Sequence, residues 1–273
     1  MRSSKFSLVF VLITFIITAL ATTAFAAETE IDWEKGVIRA TGLAAGKSGE
    51  KRAGLAKAQA HRAARMDAER NLAEQVHGVY VTGDSSMRDL ELEYDLVRTQ
   101  TAALIKNMRE IGEPKYDKDG TCELVMEIPL WGSQSSLAGA AFIPFKDKPK
   151  AAFPEPTSTT ANVGDKEYTG LVVDCSGLGL KPVMSPVIKN ENGTSIYGYE
   201  NLDYDKVVQY GMASYARNIA DQTRAGNNPL VVKATKLDNF NSNPIIKVSD
   251  SDLVLLANKA AKFLMKCAVV FLM

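Results

Sequence analysis

The longest regular pattern of apolar positions runs through the first half of the chain, over residues 50–77. Small or apolar residues recur there at every fourth position, at Ala56, Ala60, Ala64, Ala68, Leu72 and Val76. Side chains at this spacing line up along one side of a helix. The four alanines make a flat surface, which suits close packing on a sheet better than a coiled-coil seam. The pattern predicts one long helix that packs on a sheet and stops at Gly78.

Strand-like runs lie on both sides of this helix. A strand is predicted before it at 36–41, and a short one after it at 79–83. Residues 90–108 favour a helix by their spacing, although the run 94–97 also fits a strand. Residues 113–130 predict a hairpin, because Lys-Asp-Gly at 118–120 is a good hairpin turn.

The second half of the chain alternates strand patterns with two helix patterns. We expect helices at 203–210 and from Leu253 onward, the latter capped by Ser249 and Asp252. A hairpin is expected around the turn 190–193. The predicted strands are 168–174, 183–189, 194–199, 229–234, 243–248 and the closing run 267–273.

Residues 146–166 separate the two halves and predict a linker, because they contain three prolines, a small polar tract and little apolar periodicity. The resulting domains are 27–145 and 167–273, each near the commonest domain size. The expected fold class is α+β, with two small domains. Each is expected to have a mainly antiparallel sheet with a long helix packed on one face.

The first 26 residues have the layout of a secretory signal peptide. Arg2 and Lys5 precede a long apolar run, and Ala24-Phe25-Ala26 forms a small-x-small cleavage site. An uncleaved anchor helix is the alternative, since the run is long enough to span a bilayer. No cysteine follows the run, so a lipid anchor is not expected. We predict an exported protein, periplasmic or extracellular, with no stable membrane span after cleavage.

The charge balance argues against nucleic acid as a partner. The whole chain has 32 basic and 32 acidic residues, and removal of the signal peptide leaves 30 basic residues. A mature protein that is slightly acidic by count does not have the basic footprint of a nucleic-acid binder. At 46% hydrophobic residues, the composition is that of a globular protein.

The glycine-rich segment 41–52, TGLAAGKSGEKR, approaches a phosphate-binding loop. Gly46-Lys47-Ser48 fits the end of the motif, but the first glycine of the motif should fall at Thr41. That glycine lets the backbone wrap the phosphates, so its loss matters. A strand-to-helix turn, in which Gly42, Gly46 and Gly49 reverse the chain, is the favoured interpretation, and no cofactor is predicted.

No complete catalytic or metal-binding constellation is present in the sequence. The only histidines, His61 and His77, are too far apart to share a metal on one helix. Cys122, Cys175 and Cys267 have no metal-ligand spacing. Three buried thiols are favoured for them over a Cys175–Cys267 disulfide. No catalytic, cofactor-binding or metal residue is therefore assigned.

Two features leave alternatives open. Asp67 is flanked by Arg62, Arg65 and Arg70. It is either part of a solvated salt-bridge face or an acceptor of backbone hydrogen bonds that fix the loops. The second feature is a cluster of tyrosines that indicates core and hairpin packing more than a ligand surface; its members are Tyr197, Tyr199, Tyr204, Tyr210 and Tyr215.

Residues 36–132 resemble the Lpp-twenty lipoprotein family and the N-terminal domain of the flagellar assembly protein FlgT. The resemblance rests on the run from Ala63 to Gly78 and on Val125–Gly132. Its structural motif residues are Gly42, Ala64, Asp67, Ala68, Leu72 and Gly78. It implies a small α+β domain of the bacterial envelope without an enzymatic centre. The chain departs from the lipoprotein members in lacking a lipidated cysteine.

The sequence thus favours a non-enzymatic envelope protein that acts through contacts with other envelope proteins. An assembly factor of a periplasmic or flagellar structure fits this description. The alternatives are a periplasmic glycan hydrolase with a pair of carboxylates and a module that binds polysaccharide or a small ligand.

Overall fold

The computed structural model of the chain describes residues 29–46, 52–158 and 166–273. The predicted signal peptide lies outside these residues, as do Lys47, Ser48 and Gly49 of the glycine-rich segment and residues 159–165 of the predicted linker. Within them the chain is a mixed α+β protein with two sheets, each in one half of the sequence. The predicted α+β class with two units is confirmed.

The first sheet has four antiparallel strands in the order β1-β2-β4-β3. Its strands are β1 (Thr29–Asp32), β2 (Val37–Ala44), β3 (Arg109–Tyr116) and β4 (Cys122–Pro129). The predicted hairpin is β3–β4. Gly120 closes its turn at φ 83°, and its amide donates a hydrogen bond to the Asp117 carbonyl.

Helix α1 (Ala53–His77) is the long helix predicted from the alanine ridge. Five of the six ridge positions are fully buried, at Ala60, Ala64, Ala68, Leu72 and Val76. The helix packs on β2 and β4, so the flat alanine surface does face a sheet. Its apolar stripe is narrow, and the opposite side of the helix is exposed.

Two predictions for the segment after α1 need correction. Residues 79–83 form a loop with a single bridge between Tyr80 and Ser86, not a strand. The Tyr80 and Val81 carbonyls instead accept hydrogen bonds from Met184 and Ser185 of the second half. The strand alternative for 94–97 is also wrong, because helices α2 (Met87–Glu93) and α3 (Asp95–Lys106) occupy this region. A further short helix, α4 (Leu137–Phe142), follows β4.

The second sheet has seven strands in the order β7-β6-β10-β9-β5-β11-β8. The strands are β5 (Gly170–Asp174), β6 (Ile188–Asn190), β7 (Ser195–Tyr197), β8 (Ser214–Ala216), β9 (Pro229–Asp238), β10 (Asn243–Ile246) and β11 (Val269–Leu272). Helices α5 (Tyr204–Tyr210) and α6 (Val248–Ala261) accompany it. The expected hairpin around residues 190–193 is β6–β7.

The prediction of a mainly antiparallel second sheet is wrong. Strand β11 runs parallel to both of its neighbours, β5 and β8, and β5 is also parallel to β9. Both faces of β5 and β11 are covered. Leu171 and Phe271 face the main core, whereas Val172 and Val270 join a smaller cluster on the other face. Burial on both faces is typical of parallel strands.

The two units share one continuous apolar core. Its members come from both halves of the chain. The Trp33 ring meets Tyr215 edge-on at 5.6 Å, and the Gly132 amide donates a hydrogen bond of 2.9 Å to the Val208 carbonyl. The Tyr204 hydroxyl donates to Gln134 Oε1 at 2.8 Å. These contacts fix the two sheets against each other.

Residues 146–158 of the predicted linker have no regular secondary structure but are bound to the second unit. The Ala151 amide donates to the Glu200 carbonyl at 2.7 Å. Asp252 accepts three hydrogen bonds, from the amide and hydroxyl of Thr157 and from the Ser158 amide. This role corrects the predicted Ser249–Asp252 cap, because α6 begins after Lys247 without a side-chain cap.

Candidate functional site

The structure brings four of the motif residues together where β2 crosses α1. Ala64, Ala68 and Leu72 form the buried side of the helix, and Gly42 lies against them. A Cβ at Gly42 would come within 2.6 Å of the Ala68 amide nitrogen. Gly42 is inside strand β2 and not in the turn after it, which corrects the predicted role of this glycine. The cluster is a strand–helix packing contact.

Asp67 combines the two roles that the sequence left open. Its Oδ2 accepts a hydrogen bond of 3.1 Å from the Leu43 amide. Its Oδ1 pairs with Arg70. The neighbouring Asn71 donates to the Thr41 carbonyl at 2.9 Å. Asp67 and Asn71 therefore fix the end of β2 to the helix, while Arg70 balances the charge at the surface.

Gly78 ends α1, but not through a left-handed conformation. Its φ is −82° and its ψ is −7°, which any residue can adopt. A Cβ at this position would meet nothing closer than 3.4 Å. Gly78 therefore ends the helix at the predicted position, without the left-handed backbone that is common at glycine caps. The Gly78 amide still bonds to the Glu74 and Gln75 carbonyls of the last turn, and the chain then leaves the helix to contact the second unit through Tyr80 and Val81.

Sequence reasoning missed the most unusual backbone of the described residues, the turn that joins β9 to β10. Asn239, Phe240 and Asn241 are consecutive and all have positive φ, at 49°, 55° and 68°. A non-glycine residue in this region is uncommon, and an aromatic one is strained. The available signal was the Asn-Phe-Asn sequence, because asparagine tolerates this region better than other side chains.

Side chains from both units hold this turn. Ser242 Oγ donates to the Asn239 carbonyl at 2.7 Å, and the Lys181 amide donates to the Asn241 carbonyl at 2.8 Å. Asn239 Nδ2 approaches Asp84 Oδ1 at 3.4 Å. Gly83 has no room for a side chain, because a Cβ there would lie 2.0 Å from the Asn239 carbonyl oxygen. The turn is thus fixed from several directions.

The conformation of the 239–241 turn places the side chain of Phe240 in solvent. Phe240 is 72% exposed, and Tyr80 on the neighbouring loop is 52% exposed. Both line a cavity of about 260 Å³ whose polar groups include Asp84 and Lys181. We call Tyr80, Asp84, Lys181 and Phe240 the aromatic rim.

The geometry gives little support to a carboxylate pair. Cavities of about 510, 490 and 260 Å³ are each lined by a single carboxylate, respectively Glu127, Glu200 and Asp84. Glu34 and Asp221 both line a smaller cavity of about 230 Å³ beside Arg224. Two further carboxylates have structural roles, because Asp203 caps α5 and Asp252 binds the linker.

Glu127 is the most constrained carboxylate of these cavities. It accepts hydrogen bonds from Arg39 at 2.9 Å and from Arg109 at 2.8 Å. Burial alone would raise the pKa of Glu127, but the hydrogen bonds from Arg109 and Arg39 outweigh it, so the pKa lies below its usual value. A carboxylate held ionised between two cations is a poor general acid.

The histidines and cysteines are separated and individually accounted for. His61 pairs with Glu110 at 3.1 Å, and His77 pairs with Glu91 at 3.2 Å. All three cysteines are buried free thiols, as favoured from the sequence. Burial raises the pKa of Cys175 to about 12. In the described residues no cluster of three potential ligands is placed to hold a metal ion.

The tyrosine cluster is mainly core, as predicted. Tyr197, Tyr204 and Tyr215 are buried and Tyr199 is partly buried, whereas Tyr210 is 54% exposed. No helix among the described residues is both long and apolar enough to cross a bilayer.

Comparison with known proteins matches part of the chain to a family model described as the second domain of Treponema pallidum Tp0624. It covers residues 170–273, which is the second unit from the start of β5 to the end of the chain. The match begins after the region that resembles the Lpp-twenty and FlgT domains, so that resemblance stays an interpretation of the sequence. No curated protein matches the chain. The second unit is therefore similar to a treponemal domain.

Proposed function

We propose that the protein is a non-enzymatic, exported envelope protein that acts through contacts with another envelope protein, as an assembly factor of a periplasmic or flagellar structure. Export follows from the signal-peptide layout, and the envelope setting follows from the resemblance of residues 36–132. The observation that carries the contact role is the strained turn that holds Phe240 in solvent.

Strain in a backbone persists only where the surrounding structure imposes it, and such positions cluster at functional sites. Here Gly83, Ser242 and Lys181 impose it, and the ring of Phe240 gains no burial from it. A turn that serves only to connect two strands has no need of an aromatic residue in this conformation. Display of the ring explains the arrangement.

The aromatic rim also has the composition of a contact site. Aromatic side chains dominate the binding energy of protein interfaces, and charged groups at the edge set orientation. The rim has two exposed aromatics with Asp84 and Lys181 beside them. A rim that is already fixed loses little conformational entropy when it binds, which favours affinity.

In-cell photo-crosslinking tests this proposal. A photoreactive phenylalanine analogue would replace Phe240 in one strain and Lys118, in the exposed β3–β4 turn, in a matched control strain. We expect a discrete crosslinked band from position 240 only, and its loss when Tyr80→Ser is added. Position 240 giving no band, or the same bands as position 118, would overturn the contact role.

A second variant separates function from folding. Phe240→Asn removes the ring and places a residue that tolerates positive φ. Relief of strain should raise the free energy of unfolding by about 1 kcal/mol. At the same time a crosslink placed at Tyr80 should be lost. A destabilised Phe240→Asn protein would show that the ring serves the fold.

A further inference from the structure

A second cavity, of about 490 Å³, lies between the two units. Its walls come from three parts of the chain: Val81 in the loop after α1, Phe142 and Phe145 at the end of α4, and Val187 and Tyr199 next to the β6–β7 hairpin. It is separate from the aromatic rim and does not depend on the proposed function. Its size and its place between two units are those of a small-molecule site.

The walls are already in place without a ligand. The rings of Phe142 and Tyr199 stack at 4.9 Å between centroids, and Phe145 meets Tyr199 edge-on at 6.0 Å. The Ser185 amide donates a hydrogen bond of 2.7 Å to the Val81 carbonyl across the two units. A rigid apolar cavity of this kind binds the apolar part of a ligand at low entropic cost.

Three lysines border this aromatic wall. Lys146, Lys148 and Lys150 are exposed, and each ammonium group lies over a ring, at 5.5 Å from Tyr204, 4.6 Å from Phe145 and 4.5 Å from Tyr199. In the described residues, none of them has an ion-pair partner. Lys148 also lines the cavity.

We propose that this cavity binds one anionic amphiphile, a small molecule with an acyl or aryl body and a carboxylate or similar head group. The body would occupy the space beside Phe142, Phe145 and Val187, and the head group would pair with Lys148. Glu200 lines the cavity together with Lys148, and Asp147 lies between the lysines in sequence, so the three lysines leave a single net positive charge by count. An anion is therefore favoured over a cation of the same shape.

Isothermal titration of the full chain with decanoate and with decyltrimethylammonium tests this inference. The two probes share a ten-carbon chain and differ in head-group charge. We expect one decanoate per chain, bound at least about fivefold more tightly than the cation. Lys148→Gln should weaken decanoate about two- to fivefold. Lys118→Gln, at an exposed lysine in a distant turn, should leave it unchanged.

A cavity-filling variant locates the binding site. Gly198 lines the cavity with extended backbone, and a Cβ there would meet nothing closer than 3.6 Å. Gly198→Leu should therefore fold and weaken decanoate at least about tenfold. Gly54→Leu, on the open surface of α1, is the matched control. If Gly198→Leu does not fold, Ser195→Phe is the substitute, because Ser195 is exposed at the mouth of the same cavity and a ring there would block it.

The outcomes are distinct from those of the crosslinking test. No saturable decanoate binding, equal binding of the two head groups, or full affinity in both filling variants would overturn the inference. Co-sedimentation with phosphatidylglycerol vesicles without binding of monomeric decanoate would overturn it too, because the lysines would then recognise a bilayer surface and not a single molecule.

Discussion

A Cβ atom on Gly42 would lie 1.9 Å from the carbonyl oxygen of Ala64, so strand β2 and helix α1 touch through their backbones. The contact explains why the helix ridge consists of alanines. Small side chains on the helix and none on the strand bring the two elements close enough for Asn71 to reach the Thr41 carbonyl. The strand–helix distance is therefore set by Gly42 and Ala64 together.

Gly42→Ala tests this contact. The added methyl group has no space against backbone atoms that cannot rotate away, so β2 must move off the helix. We expect a loss of about 2–3 kcal/mol in the free energy of unfolding, measured by chemical denaturation. Gly54→Ala, in the same helix with open space around it, should be neutral or stabilising by up to about 1 kcal/mol. Equal effects of the two variants would contradict the close-packing account.

Glu127→Gln should make stability depend on pH differently from the parent protein. Hydrogen bonds from Arg109 and Arg39 lower the pKa of Glu127 below 4.5 despite its burial. The ionised carboxylate therefore stabilises the folded state above about pH 4.5, and this contribution is lost as the pH falls through the lower folded pKa. We expect the variant to lose about 1–3 kcal/mol at pH 7.

The pH dependence distinguishes charge from shape in this comparison. The difference in stability between the parent and Glu127→Gln should narrow below pH 4.5. Thermal unfolding of both proteins at pH values from 3 to 7 measures this difference. Glu123→Gln removes a partner of the exposed Lys115 and should cost no more than about 0.5 kcal/mol. A gap that stays constant over this pH range would show that the carboxylate charge does not matter.

The region around Asp252 shows what local sequence could and could not predict. The alanine ridge predicted both α1 and its packing on a sheet, because a row of small side chains fits any flat sheet surface. The cap at Ser249 and Asp252 was wrong because the real partners of Asp252 lie about a hundred residues earlier, at Thr157 and Ser158. Capping rules consider only residues that are neighbours in sequence. They cannot predict that Asp252 binds residues so distant from it in the chain.

The parallel strands were missed although a signal was present. The run 267–273 and the strand 168–174 are continuously apolar, which is typical of strands buried on both faces. The nearby hairpin turns favoured an antiparallel interpretation for the whole sheet instead. The aromatic rim could not be predicted, because it depends on Gly83 and Lys181 meeting the Asn239–Asn241 turn in three dimensions.

Asp252→Ala should release the linker from the second unit. Its side chain accepts hydrogen bonds of 2.7 Å and 2.8 Å from Thr157 and 3.1 Å from Ser158. Loss of these charge-assisted bonds should cost about 1.5–3 kcal/mol. Hydrogen exchange at the 157 and 158 amides should accelerate at the same time. Ser249→Ala should stay within about 0.5 kcal/mol of the parent. A larger loss there would restore the capping role.

The buried hydroxyls of Tyr215 and Tyr199 differ in hydrogen bonding, so their removal should have opposite effects on stability. Tyr215 Oη accepts a hydrogen bond from the Val183 amide at 3.0 Å and donates to the Val183 carbonyl at 2.8 Å. Tyr199 Oη is buried and has no hydrogen-bond partner among the described residues. Removal of a satisfied hydroxyl leaves its partners unpaired, whereas removal of an unsatisfied one ends a desolvation cost.

Tyr215→Phe should therefore lose about 1–3 kcal/mol in the free energy of unfolding, and Tyr199→Phe should be neutral or gain up to about 1 kcal/mol. Both changes keep the ring and its packing, so chemical denaturation of the two variants isolates the hydroxyl groups. A destabilised Tyr199→Phe protein would mean that the Tyr199 hydroxyl has a hydrogen-bond partner in solution.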